Sequence, residues 1–164
     1  MDHDTERLLV GVIHNKYYLK EVIEFLRKEG IKNKGVMLEI AKNRVPSQPP
    51  TDGLTFFEEL RDFVLAENGL LIYGEDEEIL ERAYAKNKEL YRKMKRPGLS
   101  IMQWVELHSE NRYHVPFVER DPHFLKVIQE QNPDIVVLGK AHLPYLIEHH
   151  FANIPHRDTY IPKE

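Results

Sequence analysis

Apolar positions fall in short blocks along this chain, and their spacing alternates between strand-like runs and helix-like stripes. Residues 7–13 form an apolar run of about strand length. Leu19, Val22, Ile23 and Leu26 then recur at the i, i+3, i+4, i+7 spacing of a helix face, with Gly30 where a C-cap belongs. "GVMLEI" (35–40) reads as a second buried strand, and three prolines in 46–50 mark a loop. "TFFEEL" (55–60) opens a helix with a Thr55/Glu58 capping box, ended by Gly69, and "LLIY" (70–73) is a third strand. Ile79, Leu80, Ala83, Tyr84, Leu90, Tyr91 and Met94 predict one face of a long helix, which "RPGLS" (96–100) breaks. Residues 101–118 give the weakest pattern: a short helix and then an extended "YHVPFV". Asp121 as N-cap and Pro122 at the first helical position start a helix to about Gln131, and "DIVVL" (134–138) is the last clear strand. From about residue 155 the tail reads as irregular.

Strands alternating with helices predict an α/β fold, a mainly parallel sheet flanked by helices on both faces. The 164 residues suffice for one domain, 1–164, with a proper core. Ligands of such sheets bind beyond the carboxyl ends of the strands. His14, Glu39 and His142 all fall at or just past predicted strand ends, so all three are expected on one edge.

Composition narrows the chemistry. The absence of cysteine removes disulfides, thiolate metal sites and cysteine nucleophiles together. A net charge of −4 carries no electrostatic footprint for nucleic acid. The basic stretch 86–96 is answered by the acidic 75–81 and reads as one solvated helix. No window is long and apolar enough for membrane insertion, and the acidic start does not resemble a signal peptide, so a cytoplasmic protein is expected. The proline-bearing tail is compatible with an arm on a partner subunit, hence a possible homodimer, and equally with a mobile terminus.

Against that background one pattern occurs twice. "GVIH" (11–14) and "GKAH" (139–142) each follow an apolar run and precede a helix, giving two strand–Gly-x-x-His–helix units. In each, glycine allows a tight turn and the loop carries histidine over the sheet edge. A tyrosine follows each histidine by three positions, Tyr17 and Tyr145, so the units read as an internal repeat whose members face each other about a pseudo-twofold. Either motif alone fits a core or helix-terminal histidine bonded to backbone. Two imidazoles with the strand-end Glu39 instead suit a divalent transition metal: manganese, cobalt or zinc. Arg44 follows Glu39 by five residues and fits equally a salt bridge to it. Glu119 and Arg120 stand before a helix N-terminus, where anions are favoured, or are ordinary solvated charges. His108, His114, Trp104 and Tyr113 are further candidates for the walls of a pocket.

Taken in order, Gly-x-x-His, Glu with Arg five later, Glu-Arg-Asp before a helix, then strand and Gly-x-x-His, the chain resembles the TraB/PrgY family over about residues 7–150. That family shares its fold with the Tiki proteases, the GumN proteins and, more distantly, erythromycin esterases and ChaN lipoproteins. The resemblance implies a TraB/EreA/ChaN-like fold and functional positions at His14, Glu39, Arg44, Glu119, Arg120 and His142. It implies a metal-dependent hydrolase, most concretely peptidase-like, acting on a peptide or small-molecule substrate. In that expectation His14, Glu39 and His142 hold the metal, Glu119 moves the proton, and Arg44 and Arg120 bind a substrate carboxylate or oxyanion. The alternative is a non-catalytic protein that binds a small anion at the same edge, or a regulatory protein on the same fold. Lys140, inside the second motif, departs from the family pattern.

Overall fold

The computed structural model of the chain describes residues 6–163, with backbone alone at Tyr113, His114 and Val115. Its strands are β1 (Arg7–Val12), β2 (Gly35–Leu38), β3 (Leu70–Tyr73), β4 (Ile135–Gly139) and β5 (His156–Ile161). They form one sheet in the order β3-β2-β4-β1-β5, and every pairing is parallel. The helices are α1 (Leu19–Glu29), α2 (Asp52–Ala66), α3 (Glu77–Met94), α4 (Ile101–Tyr113), α5 (Arg120–Gln131) and the single turn α6 (Leu143–Leu146). The α/β architecture expected from the alternation of elements is the one observed.

Strand periodicity divides the core into two layers. Leu8, Val10 and Val12 of β1, with Val36 and Leu38 of β2, pack on Val22 and Leu26 of α1 and on Phe56, Leu60 and Val64 of α2. The alternate residues Leu9, Met37, Val136 and Leu138 pack on Phe124, Val127 and Ile128 of α5 and on Leu143 and Leu146 of α6. A sheet covered on both faces needs apolar side chains in both directions, and β4 is buried along its whole length.

The connections explain where a site forms. From β1 the chain crosses over α1 to β2 on one side of the sheet. From β4 it crosses over α6 to β5 in the opposite direction. Right-handed crossovers moving in opposite directions must use opposite faces, as α1 and α6 do. The carboxyl ends of the adjacent strands β1 and β4 are thereby left uncovered between departing chains, a topological switch point. The Gly-x-x-His turns belong to these two strands. They are side-by-side parallel neighbours and not partners across a twofold, and the register pairs Gly11 with Leu138 and Val12 with Gly139.

Other expectations need correction. Helix α2 begins at Asp52, capped by Thr51 accepting the Leu54 N–H, so Thr55 lies inside it. Residues 101–118 are helical throughout: α4 runs into a π-helical turn, His114–Val118, where an extended segment was expected. Leu107 of α4 packs on Ala83 and Leu90 of α3, but Ile101, Met102, Trp104 and Val105 stay exposed, which blurs the helical pattern. The tail is β5, paired along β1, and was read as irregular because an edge strand needs few apolar residues; in "HRDTYI" Ile161 is the buried one. Those residues complete the chain's own sheet. No helix among the described residues is long and apolar enough to cross a membrane.

Gly11 is the seam between β1 and β5. A Cβ there would stand 2.7 Å from the Tyr160 ring and 2.9 Å from the Leu143 side chain, so both groups occupy the space a side chain would need. Gly11→Val is therefore expected to lower the unfolding free energy by about 1–3 kcal/mol in urea denaturation, with part regained when Tyr160→Ala is added. An unchanged midpoint in the single variant would rule out this packing of β5.

Candidate functional site

Among the described residues, the buried charged or polar side chains are Glu75, Arg120, Asp121 and His142, and all four meet at the switch point. They are gathered by Glu39, the residue after β2. Its Oε1 accepts the Gly139 N–H at 2.8 Å, tying the end of β2 to the end of β4, and its Oε2 accepts from Arg120 Nη2 at 3.0 Å. Arg120 opens α5, and its Nε also donates to Glu75, 3.1 and 3.2 Å from the two carboxylate oxygens. Glu75 stands just past β3, so three strand ends and one helix start are joined through a single guanidinium.

The second motif histidine is clamped from both sides. His142 Nδ1 lies 2.5 Å from Asp121 Oδ1, and Nε2 lies 3.5 Å from Glu39 Oε1. Phe117 and Phe124 meet the imidazole edge-on at 5.4 and 5.1 Å. Its partner carboxylate fixes the ring orientation and leaves Nε2 toward Glu39.

The first motif histidine is held differently. Its ring threads between two glycines: a Cβ on Gly53 would fall 2.6 Å from His14 Nδ1, and one on Gly139 would fall 3.1 Å from His14 Cδ2. That same Gly139 Cβ would also crowd Glu39 Oε1 at 3.2 Å. The glycine of the second motif thus makes room for the histidine of the first. His14 is exposed, with Phe57 at 5.9 Å behind it.

Electrostatics follow from the packing. Burial pushes Glu39 toward its neutral form, but His142, Arg120, His14 and the Gly139 N–H outweigh it and hold the carboxyl at about 2. Burial likewise raises Glu75, against the pull of Arg120. For His142 burial favours the neutral ring, and Glu39 with the Asp121 bond overcomes it, so the imidazole is more basic than usual. Burial opposes the charge on Arg120, yet the two glutamates keep it firmly protonated. Two carboxylates, Glu39 and Glu75, thus face the Arg120 guanidinium, and a third, Asp121, faces the His142 imidazole.

A cavity of about 660 Å³ opens above these groups. His14, Glu39, Arg120, Lys140 and His142 line it on the sheet side. Tyr84, Asn87 and Tyr91 of α3, Asn111 of α4 and Phe117 line it opposite. The Oδ1 of Asn111 is enclosed without a hydrogen-bond partner, a state that costs about 1–3 kcal/mol unless a donor meets it.

Of the residues singled out in the sequence, His14, Glu39, Arg120 and His142 come together. Arg44 and Glu119 do not. Arg44 turns back to α2 and forms a two-pronged pair with Glu58 at 2.6 and 2.8 Å, at a separate small hollow. Glu119 pairs with Arg82 at 3.1 Å, both side chains about half exposed. At a helix start consecutive side chains diverge by about 100°, so burying Arg120 turns Glu119 outward. His108 stacks on Trp104 along α4, outside the cavity wall, and the side chains of Tyr113 and His114 lie outside the described residues. Sequence reasoning missed Glu75, Asp121 and Gly53. Glu75 carried a usable signal, an acid just past a strand end like Glu39, masked by the acidic run that follows. Asp121 is expected as an N-cap, but Glu119 holds that position, α5 begins two residues earlier than Pro122, and the Asp121 carboxylate turns inward to His142.

No protein-family model, curated protein or solved structure matches the chain. The site's own donor chemistry therefore has to say whether a metal fits. Among the described residues no group of three or more His, Asp or Glu side chains is arranged to hold an ion. What is present is a pair: His142 Nε2 and Glu39 Oε1, 3.5 Å apart, with His14 beside them. Two ligands of one tetrahedral ion, at bonds of about 2.0–2.2 Å, stand roughly 3.3–3.6 Å apart, so the pair matches that spacing, and His14 lies next to it, since one Cβ on Gly139 would meet both His14 and Glu39 Oε1.

Arg120→Met leaves Glu39 and Glu75 buried without their shared cation. It is expected to cost about 3–5 kcal/mol in urea unfolding, with part restored by adding Glu75→Gln. Glu119→Gln, at the exposed pair next door, is expected to change stability by less than about 1 kcal/mol. Equal effects of the two single variants would contradict the central role of Arg120.

Proposed function

We propose that the cavity at the β1/β4 switch point is the active site of a divalent-metal-dependent hydrolase of peptide-like substrates, the activity implied by the resemblance to the TraB/PrgY family. The observation that carries this reading is the Asp121–His142–Glu39 array, a carboxylate-oriented imidazole whose second nitrogen faces a carboxylate oxygen at ligand spacing. His142 and Glu39 would hold the ion, with His14 as third donor. Such an ion, when bound, supplies Lewis acidity toward a scissile carbonyl and makes water more acidic.

The chain's own groups do the rest. Asp121 keeps the proton of His142 on Nδ1, so that Nε2 presents its lone pair. Glu75 holds Arg120 against Glu39 and fixes a permanent positive charge in the cavity wall, where developing negative charge is stabilised without reorganisation. Tyr84, whose phenol burial keeps protonated, is a second donor on the opposite wall.

A second reading rests on one observation: Glu39 is already engaged by Arg120 and Gly139, and among the described residues no third donor is in position. In that reading the edge binds a small anionic ligand without metal.

Metal titration separates them. Protein purified without chelator is expected to bind one manganese, cobalt or zinc ion per chain by calorimetry. Asp121→Asn is expected to weaken that affinity about 10–100-fold, and Glu39→Gln and His142→Ala to weaken it further. Arg44→Ala and Glu119→Gln are expected to leave it unchanged. No binding to the wild type, or equal binding to His142→Ala, would sink the hydrolase reading. Metal-free binding of acetate or phosphate would then favour the second.

A further inference from the structure

The wall of the cavity facing the buried charges has a chemistry of its own. Tyr84, Asn87 and Tyr91 line it from α3 at i, i+3 and i+7, which is one stripe of a helix. The stripe begins near the reacting groups, since Tyr84 lies within electrostatic reach of Arg120 and Glu39. It ends at Tyr91, half of whose surface is exposed at the cavity's outer end. Seven positions at about 1.5 Å each make the stripe roughly 10 Å long. An extended peptide covers that distance with about three residues.

The polar members of this wall are carboxamides. Asn87 and Asn111 carry no charge, and each can donate to a carbonyl and accept from an N–H, as a peptide backbone does. Asn111 also holds the enclosed Oδ1 without a partner, and a turn of that side chain toward an N–H donor in the cavity relieves it. On α4 the face that carries Asn111 continues through His108 to Trp104 at spacings of three and four, and those two rings are stacked at 4.9 Å. Trp104 is 45% exposed, and Leu107, three residues further along α4, packs on Leu90, the chain neighbour of Tyr91.

We propose that this wall is a subsite for an extended, uncharged peptide segment, with a bulky apolar side chain about three residues from the scissile bond resting on Tyr91 and Trp104. Asn87 and Asn111 hydrogen-bond the intervening backbone. The inference rests on the hydrolase reading for the words "scissile bond", but the subsite itself binds whether or not the bond is cut. Specificity then comes from the α3–α4 hairpin, and the sheet edge supplies only the chemistry.

The chain holds a single tryptophan, Trp104, so binding can be read directly from its fluorescence. The probes are two blocked peptides, acetyl-Phe-Ala-Ala-Ala-amide and acetyl-Ala-Ala-Ala-Ala-amide, titrated into metal-free and manganese-loaded protein. Burial of one phenyl group is expected to make the first bind at least about 10-fold more tightly. Tyr91→Ala is expected to remove that preference. Asn87→Ala and Asn111→Ala are expected to weaken both peptides by a similar factor, and circular dichroism checks that each variant folds. Equal affinity for the two peptides, no response to either at millimolar concentration, or a preference that survives Tyr91→Ala would overturn the subsite. A preference seen without metal and without any cleavage would keep the subsite and discard the hydrolase. Metal-dependent cleavage with no side-chain preference would do the reverse.

Discussion

The guanidinium of Arg120 is the constraint on which the carboxyl edge of the sheet is built. It is buried, and a buried cation is tolerated only where carboxylates meet it in good geometry. Glu75 and Glu39 do so from the ends of β3 and β2, and Glu39 is bonded in turn to the backbone of Gly139 at the end of β4. The helix that carries Arg120 also carries Asp121, the partner of His142. Placing α5 therefore sets the positions of both carboxylates, the second histidine and the register of three strand ends. A cluster of this kind is weak evidence for stability, since apolar residues of similar volume would often serve as well. Its position at a topological switch point, under an open cavity, is better explained by what it does to that cavity: it fixes charge in the cavity floor.

Much of the architecture could be read from the pattern of apolar residues, because both faces of a parallel sheet must be apolar and strands β1, β2 and β4 are short uninterrupted runs. The expectation that His14, Glu39 and His142 share an edge required only the rule that parallel strands end together. Arg120 was legible as a charged residue at a helix start. Its neighbour Glu119 was indistinguishable from it in sequence, and only the direction of the helix decides which of the two is buried. Arg44 illustrates a second limit. Five residues after Glu39 is close along the chain, but the prolines of the following loop turn the backbone toward α2, and Glu58 captures the side chain. Glu75 and Asp121 failed to register because each also satisfied a commoner local explanation, an acidic helix start and an N-cap. Strand β5 was invisible for the opposite reason: an edge strand held mainly by backbone bonds to β1 asks little of its side chains.

The two Gly-x-x-His turns look alike in sequence and differ in physical role. The register sets them one residue out of step, Gly11 opposite Leu138 and Gly139 opposite Val12. Gly11 therefore lies inside its strand, where its missing side chain admits Tyr160 and Leu143. Gly139 lies at the end of its strand, where it admits His14 and Glu39. The same stagger separates the histidines. His142 reaches the buried layer and is fixed by Asp121, whereas His14 stays at the surface, packed between Gly53 and Gly139.

This asymmetry bears on how such a site can work. A fully buried pair of ligands would bind an ion rigidly and leave no route for substrate, and a fully exposed pair would compete poorly with water. Here one imidazole, His142, is buried and fixed by Asp121 beside Glu39, and the other, His14, is exposed at the mouth of the cavity. The groups that pack on His14 are Gly53, Gly139 and the Phe57 ring. Arg120 and Asp121 thus preorganise the floor of the cavity, and in the hydrolase proposed above His14 is the ligand that would complete the site from its rim.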